Sequence, residues 1–205
     1  GSAPIPDVVP APTEGIWHPR HGLFTSLAEY RQHLDPDRPT VGITFPRSYW
    51  LEHNTAHIEA LVTAVEELDA NTVPFFCLRL PDARRGNPGM AQVLENLLRD
   101  DEGRCVVDTL VDVHGMSMTA GVPANADAYP NLGVSVLHAL TSYAPRAAWQ
   151  ATAQGMGSMD VATQAAQPEF DGALITKLLA TREVDTVDDL TGAVVPRMVP
   201  VPGRA

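Results

Sequence analysis

The stretch that decides the fold is residues 39–78, PTVGITFPRSYWLEHNTAHIEALVTAVEELDANTVPFFCL. Val41 to Phe45 is a short apolar run after Pro39, with strand character. From Asn54 the apolar period changes: Ile58, Leu61, Val62, Val65 and Leu68 share the spacing of one helical face. Asn54 suits the N-cap of that helix, because its side chain can accept a hydrogen bond from an orphan amide. Val73 to Leu78, VPFFCL, then reads as a second buried strand. The unit is strand–helix–strand.

Downstream the alternation continues. Asn87-Pro88 offers an N-cap with proline at the first helical position, followed by Val93, Leu94, Leu97 and Leu98 on one face. Val106 to Val113 reads as a third strand and Val134 to Leu137 as a fourth. Ser158 can cap a short helix through Ala166, and Ala173 to Arg182 suits helix or strand. Strands joined through helices imply parallel crossovers. The expectation is an α/β domain with an open, mostly parallel sheet and helices on both faces, flavodoxin-like or Rossmann-like, with irregular Pro-rich ends. Pro4, Pro6, Pro10 and Pro12 mark one end, and Pro196, Pro200 and Pro202 the other. The expected division is a scar of tag removal at 1–2, a Pro-rich lead-in with a short helix at 3–38, and the α/β domain at 39–190. A Pro-rich tail at 191–205 would lead to the next domain of a longer parent.

The 205 residues carry 14 Lys plus Arg against 25 Asp plus Glu, a formal charge of −11. Nucleic-acid binding needs a basic face, as does a polybasic membrane contact, so neither is expected. Divalent cations, or a partner with basic patches, are better electrostatic matches. There is no apolar run of about 18 residues to span a bilayer. Cys77 and Cys105 lie in apolar runs and read as buried, reduced thiols of a cytoplasmic protein.

Several groups bear on chemistry. His53 and His57 lie four apart, but the glutamate of a zinc-protease helix is missing, so they read as surface histidines. His18 and His21 sit in a Pro-rich loop, and His114 ends the third strand, where ligands of open α/β sheets bind. The long connection 114–133 that follows is a functional candidate for the same reason. Gln154 to Ser158 fits neither the dinucleotide nor the P-loop pattern, and Gly115-Met116-Ser117 is no nucleophile elbow. Pro168-Glu169-Phe170-Asp171-Gly172 places two carboxylates where a tight turn could aim them at one hard cation.

Taken together, these segments resemble the large subunits of cobaltochelatase and magnesium chelatase. Gly15 to Pro19 is similar to that family's GIYHP, and the resemblance runs on through Val41-Gly42-Ile43 and Arg47 to Trp50. Asn54 to Leu61 is similar to NTA-x-IDALI, and Gln164 to Gly172, QAAQPEFDG, to QVALPELDG. Trp149, with Gly155-Met156 downstream, approximates a further family pattern. The match runs from about residue 15 to 200. His53 stands where the family has Gly, and the MSMTAG loop is only loosely similar.

The resemblance implies an internal domain of a subunit that binds a tetrapyrrole, while separate AAA+ and integrin-like subunits hydrolyse ATP. The expected activity of the parent is that of a cobaltochelatase, a ligase forming nitrogen–metal bonds. It would insert cobalt into hydrogenobyrinic acid a,c-diamide in cobalamin biosynthesis; this piece alone is expected to be inactive. The alternatives are magnesium insertion into protoporphyrin, or a non-catalytic tetrapyrrole-binding or ATPase-docking module. On this reading Glu169, Asp171 and His18 are the catalytic candidates, with Glu169 and His18 at the metal. Arg47 would pair an acid side chain of the macrocycle, with Tyr49 and Trp50 against its face and His114 beside it.

Overall fold

The computed structural model describes residues 10–116, 125–153, 155–187 and 194–202. The 1–2 scar, Gln154 and most of the MSMTAG loop lie outside them. The strands are β1 (Gly15–His18), β2 (Gly22–Phe24), β3 (Thr40–Pro46), β4 (Asn71–Cys77), β5 (Thr109–Asp112), β6 (Ser135–Ser142), β7 (Leu174–Val187) and β8 (Val194–Pro200). The helices are α1 (Leu27–Tyr30), α2 (Arg47–Leu51), α3 (Ala56–Glu66), α4 (Met90–Leu98), α5 (Ala128–Leu132), α6 (Arg146–Ala151), α7 (Ser158–Val161) and α8 (Gln167–Phe170).

All eight strands form one sheet, in the order β2-β1-β4-β3-β5-β6-β7-β8. The five central strands run parallel. Numbered among themselves, their order is second, first, third, fourth, fifth, which is the flavodoxin-like arrangement. The expected α/β class is observed, and of its two forms this order selects one.

The two ends depart from expectation. The lead-in supplies β1 and β2, and the tail supplies β8, so residues outside 39–190 complete the sheet rather than leave it. Both additions are antiparallel and at the margins, where proline is tolerated because one side of the strand needs no N–H donor. Pro74 inside β4 fits the same logic. The β1–β4 ladder covers Phe75 and Phe76 and stops beside Pro74, which has no N–H to give.

Other boundaries shift for identifiable reasons. Residues 47–51, between the first predicted strand and the helix, form one helical turn. Thr55, not Asn54, stands at the N-cap of α3, and Asn54 Oδ1 accepts from the Met198 amide at 2.8 Å. The helix ends at Glu66, which leaves Leu68 81% exposed. Asn87 does not cap α4 either: Gly89 holds that place at φ 82°, while Asn87 donates to Leu80 and accepts from the Gly89 amide. Gly89 has no substitute there, because a Cβ would lie 2.9 Å from the Pro81 nitrogen. The ambiguous stretch after Ala173 is strand, since β6 and β8 pair with it on both sides.

The sheet is covered on two faces. On one, Ile58 and Val62 of α3 pack against Ile43, Phe45 and Phe76. On the other, Val93, Leu94 and Leu97 of α4 with Tyr129 and Leu132 of α5 pack over Val73, Phe75 and Leu110. Because Asn54 fastens the buried Met198 amide of β8 to the corner before α3, Asn54→Ala strands that donor. A loss of about 1–3 kcal/mol in urea unfolding is expected, and an unchanged midpoint would show that water replaces the bond.

Candidate functional site

From β3 the chain crosses through α3 to β4 on one side, then through α4 to β5 on the other. The two connecting helices therefore cover opposite faces, and a crevice opens beyond the carboxyl ends of β3 and β5. It holds a cavity of about 360 Å³. Tyr49 enters from α2, Arg79 follows β4, His114 and Gly115 follow β5, Tyr143 follows β6, and Arg182 projects from β7. Gly115 lies close to Tyr143: a Cβ there would come 2.9 Å from its hydroxyl, the tip of a half-exposed side chain.

Beneath the crevice lies a buried polar cluster. Asp112 and His114 are two apart on one chain, which places both on the same sheet face. Asp112 Oδ1 accepts from the His114 amide at 2.9 Å and lies 2.8 Å from His114 Nδ1. Its Oδ2 accepts from the Tyr129 hydroxyl at 2.6 Å. His114 Nε2 faces Cys77 Sγ at 3.8 Å, and Thr44 Oγ1 lies 3.8 Å from the same sulfur. His138 Nδ1 stands 3.4 Å from Asp112 Oδ2, but among the described residues neither of its ring nitrogens has a hydrogen-bond partner.

The charges follow from this geometry. Desolvation works to raise the Asp112 pKa, yet the His114 charge and the surrounding donors overcome it and hold the carboxyl below its ordinary range. Desolvation likewise opposes charge on His114, but the Asp112 carboxylate raises its pKa to about 10. His114 is therefore an imidazolium at neutral pH, held by a buried ion pair. Burial also pushes Tyr49 and Tyr129 upward, so both keep their protons.

The other residues singled out by sequence are scattered. The Arg47 guanidinium donates to the carbonyls of Pro12 (2.6 Å) and Ala11 (3.0 Å), so it anchors the incoming chain. Trp50 stacks on Phe76 with ring centroids 4.4 Å apart, beside a small cavity of about 250 Å³ away from the crevice. His18 is buried at the amino end of the parallel strands, with Nε2 2.9 Å from Glu66 Oε1. Burial lowers its pKa against the opposing pull of Glu66. His21 and His33 continue from it as stacked rings at 4.4 and 4.1 Å.

Glu169 and Asp171 correct the expectation of a tight turn aiming two carboxylates at one point. Glu169 is an exposed residue of α8, and Asp171 is buried just past it. Gln164 of the same motif has a structural role, its Oε1 accepting from the Thr141 amide at 2.8 Å. The α8 segment leads into the start of β7, so Glu169 also lies at the amino edge. Between β1 and β7 stand four strands, which at about 4.8 Å per step separate His18 and Glu169 by ~20 Å or more. They cannot share one ion. Among the described residues, no group of three or more His, Cys, Asp or Glu is placed to hold a metal. Of the HNTAH pair, His53 is exposed, but His57 is fully buried, with both ring nitrogens unpartnered among the described residues, so it is no surface histidine.

Of the residues singled out by sequence, His114 and Tyr49 border the crevice, while Asp112, Arg79, Tyr129, Tyr143 and Arg182 around it were not singled out. For Asp112 a signal existed: an acid inside the apolar run TLVDV must find buried partners, and His114 stands on the same face.

A model of the CobN/magnesium chelatase family matches residues 1–205. The chain belongs to the CobN/magnesium chelatase family. The aerobic cobaltochelatase subunit CobN of Sinorhizobium sp. is 26% identical over 200 residues, 93% of this chain and 15% of its own length. CobN of Pseudomonas aeruginosa is 29% identical over 81% of this chain and 12% of its own. A magnesium-chelatase subunit of Rhodobacter capsulatus is 28% identical over 83% of this chain and 14% of its own. The chain thus spans roughly a seventh of the curated relatives it matches. A solved catalytic subunit of cobaltochelatase from Mycobacterium tuberculosis shares the fold, with a TM-score of 0.65 at 24% identity over 95% of this chain and 15% of that one. As a member of the CobN/magnesium chelatase family, the chain carries its crevice on a domain whose relatives are far longer. No helix among the described residues is long and apolar enough to cross a membrane.

Proposed function

We propose that this chain is a domain of the tetrapyrrole-binding large subunit of an ATP-dependent metal chelatase. The substrates are cobalt and hydrogenobyrinic acid a,c-diamide, in cobalamin biosynthesis, and AAA+ and integrin-like partner subunits hydrolyse the ATP. What carries this reading is the family match over the whole chain, together with CobN relatives that align with most of it. The comparable match to a magnesium-chelatase subunit supports a second reading, magnesium insertion into protoporphyrin.

Metal insertion strips water from a divalent ion and removes two pyrrole protons. His114 already holds its proton, so it serves the crevice as a donor and not as the acceptor. The carboxylate on the crevice wall is Glu52, whereas Glu169 stands at the opposite edge of the sheet. Within this domain Glu52 is therefore the better placed proton acceptor, and Glu169, Asp171 and His18 serve contacts at the amino edge.

The test uses the full-length subunit reconstituted with its partners, with cobalt and magnesium each offered to both macrocycles. Cobalt insertion into the corrin precursor is expected, and Glu52→Gln should slow it by about 10²-fold or more, the usual weight of a general base. Magnesium insertion into protoporphyrin in place of cobalt activity would establish the second reading. A normal rate for Glu52→Gln with a large loss for Glu169→Gln would move proton acceptance to the amino edge.

A further inference from the structure

The chain carries a net charge of −11, which repels a macrocycle bearing carboxylates. The crevice is locally different. Arg79, Arg182 and His114 converge on one cavity of about 360 Å³, while Tyr49, Tyr143 and Met198 give it apolar walls. Two guanidinium groups and an imidazolium around an apolar space match an amphipathic anion in charge and shape.

The hydrogen bonds of His114 point the same way. Its backbone amide and Nδ1 are both taken by Asp112 Oδ1, which fixes the ring and leaves Nε2 as the remaining donor. Among the described residues that nitrogen faces Cys77 Sγ at 3.8 Å, and a thiol is a weak acceptor. A charged donor with so poor an acceptor gains most from an oxyanion within reach. Asp112 is fully engaged behind the ring and offers nothing to a cation in the crevice. Glu52, on the same wall, would repel a second acid group and so favours a ligand that presents a single carboxylate there.

We infer that the crevice at the carboxyl ends of β3 and β5 is a carboxylate subsite, in which Arg79, Arg182 and His114 receive one acid side chain of an otherwise apolar ligand. The ligand's identity as a tetrapyrrole rests on the chelatase reading; the subsite itself does not.

Two pairs of probes separate these layers. The first is 2-naphthoate against 2-naphthamide, followed through the His114 ring resonances by NMR. The second is dicyanocobyrinic acid against dicyanocobinamide, one corrin ring with carboxylate or amide side chains, followed by tryptophan quenching. Naphthoate should shift the His114 resonances and the amide should not; Arg79→Gln or Arg182→Gln should weaken naphthoate about tenfold, with Arg→Lys restoring part of the loss. The acid–amide comparison on the unaltered chain decides the matter even where a variant fails to fold. Equal binding of acid and amide, or no response at His114, overturns the subsite. Naphthoate binding without binding of either corrinoid upholds the subsite and removes the tetrapyrrole reading from this domain. Preference for the corrinoid acid, lost in the arginine variants, upholds both.

Discussion

Replacing Asp112 with alanine is expected to destabilise the protein by about 3–5 kcal/mol at neutral pH, the usual cost of breaking a buried ion pair from one side. Asp112 is 2% exposed and accepts from three donors: the His114 amide, the His114 ring and the Tyr129 hydroxyl. Its removal leaves a hydroxyl and an amide without acceptors and forces the ring to give up its proton. For a domain of this size the melting temperature should drop by ~10 °C. Asp112→Asn keeps the shape and part of the hydrogen bonding, so it should cost less. Adding His114→Leu to Asp112→Ala should recover part of the loss, because the orphaned ring is removed as well. Urea unfolding of the four proteins measures this. A loss below about 1 kcal/mol for Asp112→Ala would mean that no buried ion pair exists.

Stability should peak near pH 6.5, with two different histidines limiting it on the two sides. On the acid side the main group is His57, which burial alone lowers from 6.5 to about 4, with His18 and His21 lowered in the same direction. Between those values the unfolded chain binds a proton that the folded chain refuses, so stability falls as the pH drops. The full shift corresponds to about 3 kcal/mol. On the alkaline side the group is His114, raised from 6.5 to about 10. Here the folded chain keeps a proton that the unfolded chain releases, so this contribution is complete below 6.5 and is lost as the pH rises through 10. The depressed Asp112 acts in the opposite sense, its contribution lost only in stronger acid. His57→Phe fills a similar volume against Tyr49 and removes the largest histidine share of the acid limb while sparing the alkaline one. Unfolding midpoints across the range should show a flattened acid side in this variant. An unchanged acid slope would assign that limb to other groups.

The parts of the fold that were legible are those where local pattern and burial agree. The helical spacing of Ile58 and Val62 survives as the buried face of α3, and VPFFC becomes a strand buried along its whole length. What was illegible depended on neighbours far along the chain. GIWH and the tail strand carry no alternation of their own, and become strands because Phe75 and Phe76 in one case, and Thr181 and Arg182 in the other, offer open ladders. Asn54 looked like a cap on local grounds, but an amide 144 residues away was the partner that needed it.

The site divides in the same way. The ends of the central strands marked where a ligand would bind, and His114 and Tyr49 do line that crevice. The family motif around Glu169 pointed elsewhere, because its Gln164 serves to fasten the helical run to β6.

By itself the sequence determined the α/β class, the parallel crossovers, the family and a net negative charge, because composition, motif order and local periodicity suffice for those. Only the tertiary structure decided which charges meet. Arg79 and His114 follow the ends of two strands and Arg182 lies within a third, and the strand order that gathers them beside a buried Asp112 is set by non-local packing. Spacing along a chain encodes which face a side chain takes, but convergence on one point depends on how strands are ordered. That ordering is why an acidic protein gathers two arginines and a histidine at one crevice.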